Sequence, residues 1–285
     1  MFALNLEKIT DHLGARVFID ASQLLAPDAP AAVLDALNQY GVLVFPQIHV
    51  PDETLVAFTN QLGDMEAATR TADGSNVSAK GIYRIALDKD DKTQRDYVVG
   101  NNYWHMDGTS YEVPGKATLL KCESPASAGG ETDFAHVYAA YEALPEDKKH
   151  ALQNLRVIHG LKAVGVKIYD NPTPEDFERW RVAFPETEQP LVWHQANGRT
   201  SLVIGSTAQS IVDMPEAEGY QLLQELTDWC TQPQFTYRHH WQQGDLVIFN
   251  NPGLLHRSRP YAENSGRVMH RTTVKGVEAF TYGNI

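Results

Sequence analysis

The chain has 285 residues, enough to bury one large core in one domain or two. Its 24 Lys+Arg against 36 Asp+Glu give −12 at pH 7, which argues against a nucleic-acid partner and against an anionic membrane surface. Cys122 and Cys230 offer neither a disulfide framework nor a zinc pattern, the N-terminus shows no basic, apolar leader, and no apolar run reaches membrane-spanning length; a cytoplasmic protein is expected.

In chain order, residues 41–45 before Pro46 predict a buried strand. Leu55, Phe58 and Leu62 mark a helix over 52–62, stopped by Gly63. Small polar residues predict a loop at 65–82, followed by a strand at 82–87. The charged run 88–96 reads as a solvated turn. Strands are expected around His105 and at 117–122, with a Pro/Gly loop at 124–130. Helices follow at 137–144, 146–155 and 175–182, then a strand at 200–204. Pro215 opens a helix whose Leu222, Leu223, Leu226 and Trp229 stripe is core packing. Late strands are expected at 235–238, 245–250 and 267–275. Short strands scattered along the whole chain predict a single domain, 1–285, on an antiparallel β core.

His105-Met106-Asp107 and the distant His256 carry the most chemistry. Two imidazoles and one carboxylate can occupy one face of an Fe(II) ion and leave three positions open. On a strand, residues two apart point the same way, so His105 and Asp107 would share a face. Taken singly, each of these residues reads equally as a structural hydrogen-bonding group. In Arg267-Val268-Met269-His270-Arg271, strand alternation puts Arg267, Met269, Arg271 and Thr273 on one face, with the two guanidinium groups ~13 Å apart. Two inward arginines demand anions, and guanidinium suits bidentate capture of carboxylates. Gly129-Gly130-Glu131-Thr132 frees the backbone ahead of a hydroxyl donor. His239-His240 face opposite ways on a strand, one core and one surface, and His136, His150, His159 and His194 lack ligand-like spacing.

In order, these pieces resemble the taurine dioxygenase/2,4-D dioxygenase (TauD/TfdA) family of Fe(II)- and 2-oxoglutarate-dependent oxygenases. The likeness runs from Gly41 to Gly276 and takes in Trp104-His105-x-Asp107, Gly129-Gly130-Glu131-Thr132, Trp241-x2-Gly244-Asp245, His256 and Arg267-x3-Arg271. Thr132 lies 27 residues after His105, and Arg267 lies 11 after His256, as in the family. Two departures stand out. The segment before the distal His is Phe249-Asn250-Asn251-Pro252 rather than the family's Trp-Asp-Asn-Arg, and the 65–80 loop lacks the sulfonate-binding His of taurine-specific members.

The resemblance implies a mainly β, α+β fold: a double-stranded β-helix (jelly roll, cupin-like) with flanking helices. It implies His105, Asp107 and His256 as Fe(II) ligands, Thr132, Arg267 and Arg271 as 2-oxoglutarate-binding residues, and Asn101 with Arg271 at the substrate. The implied reaction consumes O2 and 2-oxoglutarate, hydroxylates a small, anionic organic substrate, and releases succinate and CO2. Two other readings remain open from the residues themselves: a mononuclear Zn(II) hydrolase on the same His/Asp/His set, and a non-catalytic cupin-like sensor of a small acid. The sequence leaves open the substrate's identity, cleavage after hydroxylation, homo-oligomerisation and the role of the altered 250–252 loop.

Overall fold

The structure, a computed structural model, describes residues 3–67, 81–87 and 92–282. Two sheets face one another. The larger contains, in spatial order, Leu6–Lys8, Ala15–Val17, Val42–Phe45, Leu246–Asn250, Ala117–Ser124, Val268–Val274 and Tyr83–Ala86. Its pairings are antiparallel except the parallel contact of 15–17 with 42–45. The smaller sheet is antiparallel and runs Thr236–His239, Thr132–His136, Leu254–Ser258. This is the double-stranded β-helix.

The larger sheet is covered on both faces, so Val42–Phe45 is buried at every position rather than at alternate ones. Outside, helices Ala29–Tyr40 and Asp52–Leu62 lay Val33, Leu37, Leu55 and Phe58 on Leu43, Phe45, Leu119 and Ile248. Inside, Leu120, Val247, Phe249 and Met269 meet Phe134 and Leu254 of the smaller sheet, with the Phe134 and Phe249 rings 5.2 Å apart. The stretch between 137 and 235 adds a third core, in which helix Glu216–Cys230 packs Leu223 and Leu226 with Trp193 and Leu202, and Leu222 and Trp229 at its margin. Helices Lys162–Ile168 and Pro174–Ala183 close one side of the site, and the first has no counterpart among the sequence expectations. Helix 174–183 does cover the expected 175–182, and its start is set by a capping box between Thr173 and Asp176.

Several expectations need correction. His105 is not on a strand; it makes a single bridge to His256, with hydrogen bonds of 3.0 and 2.9 Å in the two directions. The convergence of His105 and Asp107 therefore comes from a turn anchored at one rung, not from strand alternation. Residues 92–96 belong to helix Lys92–Gly100 rather than to a turn. Its apolar Val98 packs into the inner core, which outweighs the charge of the segment. Residues 88–91 of that run, and 68–80 of the expected 65–82 loop, lie outside the described residues. The helix predicted to reach Leu155 stops at Leu152, because Leu155 instead accepts Leu191 against its carbonyl. The strand predicted over 200–204 is Thr200–Leu202.

Candidate active site

The bridge between His105 and His256 brings the two imidazoles together, 4.1 Å between ring centroids with their planes tilted by 47°. Asp107 Oδ1 lies 3.8 Å from His105 Nε2 and 4.0 Å from His256 Nε2. One ligand atom from each of the three residues falls within 4.8 Å of the others, as one ion requires. His105 Nδ1 sits 2.9 Å from the Tyr103 carbonyl. Donation from Nδ1–H there leaves the Nε2 lone pair toward the site. Burial pushes the His256 imidazole down to about 3 and also lowers that of His105, against the opposing pull of Asp107. Both rings are thus neutral at pH 7, which is the ligating form. The donor set fits a divalent ion of borderline softness.

Asp107 is steadied from the side by a contact the sequence did not reveal. Thr118 Oγ1 accepts from the side-chain amide nitrogen of the buried Asn251 at 3.1 Å, which leaves its single hydroxyl proton for Asp107 Oδ2 at 3.5 Å. Asn251 opens the short 3₁₀ turn Asn251–Gly253, whose N-cap Asn250 accepts from Gly253 N. The departure at 250–252 therefore supplies a brace for Asp107. Only the position of that departure beside His256 could have pointed to it.

The strand 268–274 behaves as alternation predicts. Arg267, Met269 and Arg271 face the metal-ligand cluster. Thr272 and His270 face helix 52–62, meeting Thr59 at 2.8 Å and Asp52 at 3.0 Å. Arg267 is 5% exposed, its Nε has no hydrogen-bond partner, and no carboxylate among the described residues lies within the 4.0 Å of an ion pair. Its guanidinium sits 4.8 Å over the Tyr261 ring. Thr132, 3% exposed, accepts from Trp241 Nε1 at 3.0 Å, which leaves its own O–H to donate. A buried cation beside a free hydroxyl donor suits a carboxylate. Gly130 makes the approach feasible: its φ is +74°, and a Cβ there would stand 3.0 Å from Arg267 Cδ and Nε.

Arg271 donates to Tyr97 Oη at 2.7 Å, stands 3.8 Å from Asp107 Oδ2, and lies over the Tyr83 and Tyr97 rings at 5.2 and 5.9 Å. Burial would lower its pKa, but Tyr97 and Asp107 outweigh that and hold the guanidinium charged. Asn101 lines both the ligand cluster and an adjoining chamber of about 600 Å³. The chamber's walls include the aromatic rings of Tyr97, Tyr111, Trp180 and Phe184 beside apolar Val164 and Ile168. Trp180 lies flat on helix 162–168, where a Cβ on Gly165 would come within 2.5 Å of its ring.

The remaining histidines stay out of the cluster. His239 is buried and bonded to Asp245 at 3.0 Å, and His240 is exposed, as alternation requires. A second group, Asp52, Glu123 and His270, has metal-like proximity, but the ammonium of Lys121 is already inserted between the two carboxylates.

The geometry can be set beside known proteins. The family model described as taurine catabolism dioxygenase TauD, TfdA family, matches residues 5–273. The (S)-phenoxypropionate/alpha-ketoglutarate-dioxygenase of Sphingobium herbicidovorans is 35% identical over 242 residues, 84% of this chain and 83% of that protein. The alpha-ketoglutarate-dependent 2,4-dichlorophenoxyacetate dioxygenase of a Burkholderia species (strain RASC) is 34% identical over 278 residues, covering 90% of each. Among solved structures, AAD-2 in complex with Mn(II) and N-oxalylglycine superposes with a TM-score of 0.81 at 29% identity, covering 98% of this chain and 100% of that one.

Proposed function

The chain belongs to the TauD/TfdA family and is a 2-oxoglutarate-dependent non-haem iron dioxygenase; from that premise we propose that it acts as one catalytic domain that hydroxylates a small organic acid with an aromatic or other apolar body, releasing succinate and CO2. Membership sets aside the zinc hydrolase and the sensor. The observation that supports the reading best is Arg267, a buried guanidinium without a carboxylate partner among the described residues, on the strand face that also presents Arg271 to the His105–Asp107–His256 cluster.

Bound at that cluster, iron supplies oxygen activation coupled to oxidative decarboxylation of 2-oxoglutarate. The chain's share is positioning, charge and dryness. His105 and His256 ligate as neutral bases, the first oriented by the Tyr103 carbonyl. Asp107 completes the face and is held by Thr118. Arg267 and the Thr132 hydroxyl grip the distal carboxylate of the cosubstrate. Arg271, held by Tyr97, meets the cosubstrate's near carboxylate or the acid group of the substrate. Asn101 adds a polar contact at the boundary between the two, and the aromatic chamber takes the substrate body and excludes water.

The relatives named for phenoxypropionate and 2,4-dichlorophenoxyacetate support an aryloxyalkanoate-like substrate, as does the aromatic lining. The test is a succinate-release screen with Fe(II) and 2-oxoglutarate against aryloxyalkanoates, alkyl sulfates and sulfonates, each acid beside its neutral amide. Acids should be turned over and amides poorly. Equal kcat/KM within every pair would remove the anionic requirement.

A further inference from the structure

The pocket that gathers the metal ligands and the two arginines adjoins the chamber of about 600 Å³, and among the described residues four border both: Tyr97, Asn101, His105 and Asp107. Arg267 and Arg271 line the first space but not the second. His105 and Asp107 belong to the ion. What a molecule in the chamber meets at that threshold, besides the metal ligands, therefore comes from Tyr97 and Asn101. The two are spaced for it. Asn101 N donates to the Tyr97 carbonyl at 3.1 Å, which continues the turn of helix Lys92–Gly100 by one residue. Residues four apart on a helix lie one above the other, so both stand on one face.

The direction of the Tyr97 hydrogen bond is fixed by the chemistry of its partner. Arg271 Nη1 lies 2.7 Å from Tyr97 Oη. A guanidinium has five donors and no acceptor, so Arg271 donates and the phenol cannot return its proton there. The hydroxyl makes no other hydrogen bond among the described residues. It accepts from a cation and keeps one O–H to give. Accepting from a charged donor polarises the phenol and strengthens that O–H as a donor in its turn. The ring is held edge-on against Tyr83, with centroids 5.5 Å apart and planes at 81°, so the hydroxyl is positioned before any ligand arrives.

We propose that Tyr97 recognises the substrate's acid group, donating its hydroxyl proton to a carboxylate held in the chamber, while Arg271 behind it serves the cosubstrate. The proposal rests on the oxygenase reading of this site and divides between two residues a role left shared there. An oxyanion is the acceptor that gains most from such a donor, because a charge-assisted hydrogen bond is about twice as strong as a neutral one. The carbonyl of a matching amide gains less.

The test is Tyr97→Phe, which keeps the ring and removes the O–H. Calorimetry on the Mn(II)-loaded protein gives the affinity for 2-oxoglutarate and then, with 2-oxoglutarate bound, for 2,4-dichlorophenoxyacetate and the other aryloxyalkanoates, each beside its amide. The variant should bind the acids about tenfold more weakly and the amides only about threefold more weakly. Its affinity for 2-oxoglutarate should stay within about a factor of two of wild type. A tyrosine that only props Arg271 would move the 2-oxoglutarate affinity as well. Equal losses for the acids and 2-oxoglutarate, or unchanged binding of the acids, overturn the proposal. If the variant does not fold, a fluorinated tyrosine at position 97 keeps the shape and makes the phenol more acidic. Acid affinity should then be lost with rising pH earlier than in wild type, and coincident pH profiles overturn the proposal equally. Succinate release from the acids with no effect of the Tyr97 change removes this assignment and leaves the oxygenase reading standing. Acid binding that depends on Tyr97, with no succinate from any acid, does the reverse. Wild type that binds none of the acids overturns both.

Discussion

Replacing Arg267 with Met should make the enzyme worse and the empty protein more stable. Arg267 is 5% exposed, without a hydrogen bond at Nε and without an ion-pair partner among the described residues. Removing a guanidinium from water costs several kcal/mol when nothing compensates it. What compensates here is the Tyr261 ring at 4.8 Å, worth ~0.5–2 kcal/mol. Methionine fills a similar path without a charge, so the metal-free, cosubstrate-free variant should gain ~1–3 kcal/mol. For a chain of this size that is a rise in Tm of roughly 2–5 °C. The same change removes the charged partner of the distal carboxylate, a loss of ~3–5 kcal/mol, or a hundredfold or more in 2-oxoglutarate affinity. Thermal unfolding of the chelator-treated protein gives the first quantity. Calorimetric titration of 2-oxoglutarate in the presence of Mn(II) gives the second. A variant that melts lower than wild type and binds 2-oxoglutarate within a factor of two would show that Arg267 is a structural residue satisfied by its surroundings.

Three further outcomes follow from the site and its supports. His105→Ala should abolish the thermal stabilisation by Mn(II), which for wild type at a hundred times Kd amounts to ~2.7 kcal/mol; an unchanged Mn(II)-induced shift in Tm would remove His105 from the ligand set. Asn251→Ala strips Thr118 of its buried partner and frees Asp107 on one side; metal affinity should fall ~10–100-fold, read by Mn(II) titration, and an unaltered titration would deny the brace. His159 is held at about 4 when folded, against ~6.5 unfolded. As pH falls below the unfolded value, the unfolded chain takes up a proton that the folded chain refuses, so stability is lost from about pH 6.5 down to 4. Between pH 7.5 and 5.0 that is ~2 kcal/mol; urea unfolding should show a loss larger by this amount in wild type than in His159→Gln, and parallel losses would place the ring's proton elsewhere.

Both inward arginines were legible from the period of two on a strand, and the His105–Asp107–His256 cluster from a short spacing joined to family likeness, although a turn rather than a strand brings His105 and Asp107 together. Arg267, Met269 and Arg271 do face the ligand cluster, and Thr272 does face away. The double-stranded β-helix was legible only through family likeness, since strand spacing by itself gives an antiparallel core and no partner order. Where local pattern misled, tertiary packing had decided the outcome. Charge along 92–96 reads as a turn, but Val98 is drawn into the inner core and carries a helix with it. His105 reads as a strand residue because its neighbours are apolar, yet a single rung to His256 is all the pairing it has. Thr118 left no signal, because it matters through Asn251, 133 residues away; Asn251 stood in the segment that departs from the family pattern, but nothing in the sequence tied it to Asp107.

The site's parts come from both sheets, and this has an energetic consequence. Thr132 and His256 stand on neighbouring strands of the smaller sheet, while Arg267 and Arg271 flank and occupy an edge-proximal strand of the larger one. Asp107 comes from the turn between, tied to the larger sheet through Thr118 and to the smaller through the His105–His256 rung. This arrangement gathers a guanidinium with no ion-pair partner among the described residues, a second guanidinium 3.8 Å from a carboxylate, and two desolvated imidazoles into one interior. The apolar contact of Phe134 and Leu254 with Val247, Phe249 and Met269 has to hold the sheets together against that cost. In the proposed roles a dianionic cosubstrate reverses the sign: it would join Thr132 of the smaller sheet to Arg267 beside the larger one, so its binding free energy would add to the closure of the sandwich. The chain's net charge of −12 makes the local pair of inward arginines more informative still, because a general negative field would repel an anionic cosubstrate and Arg267 and Arg271 answer it locally.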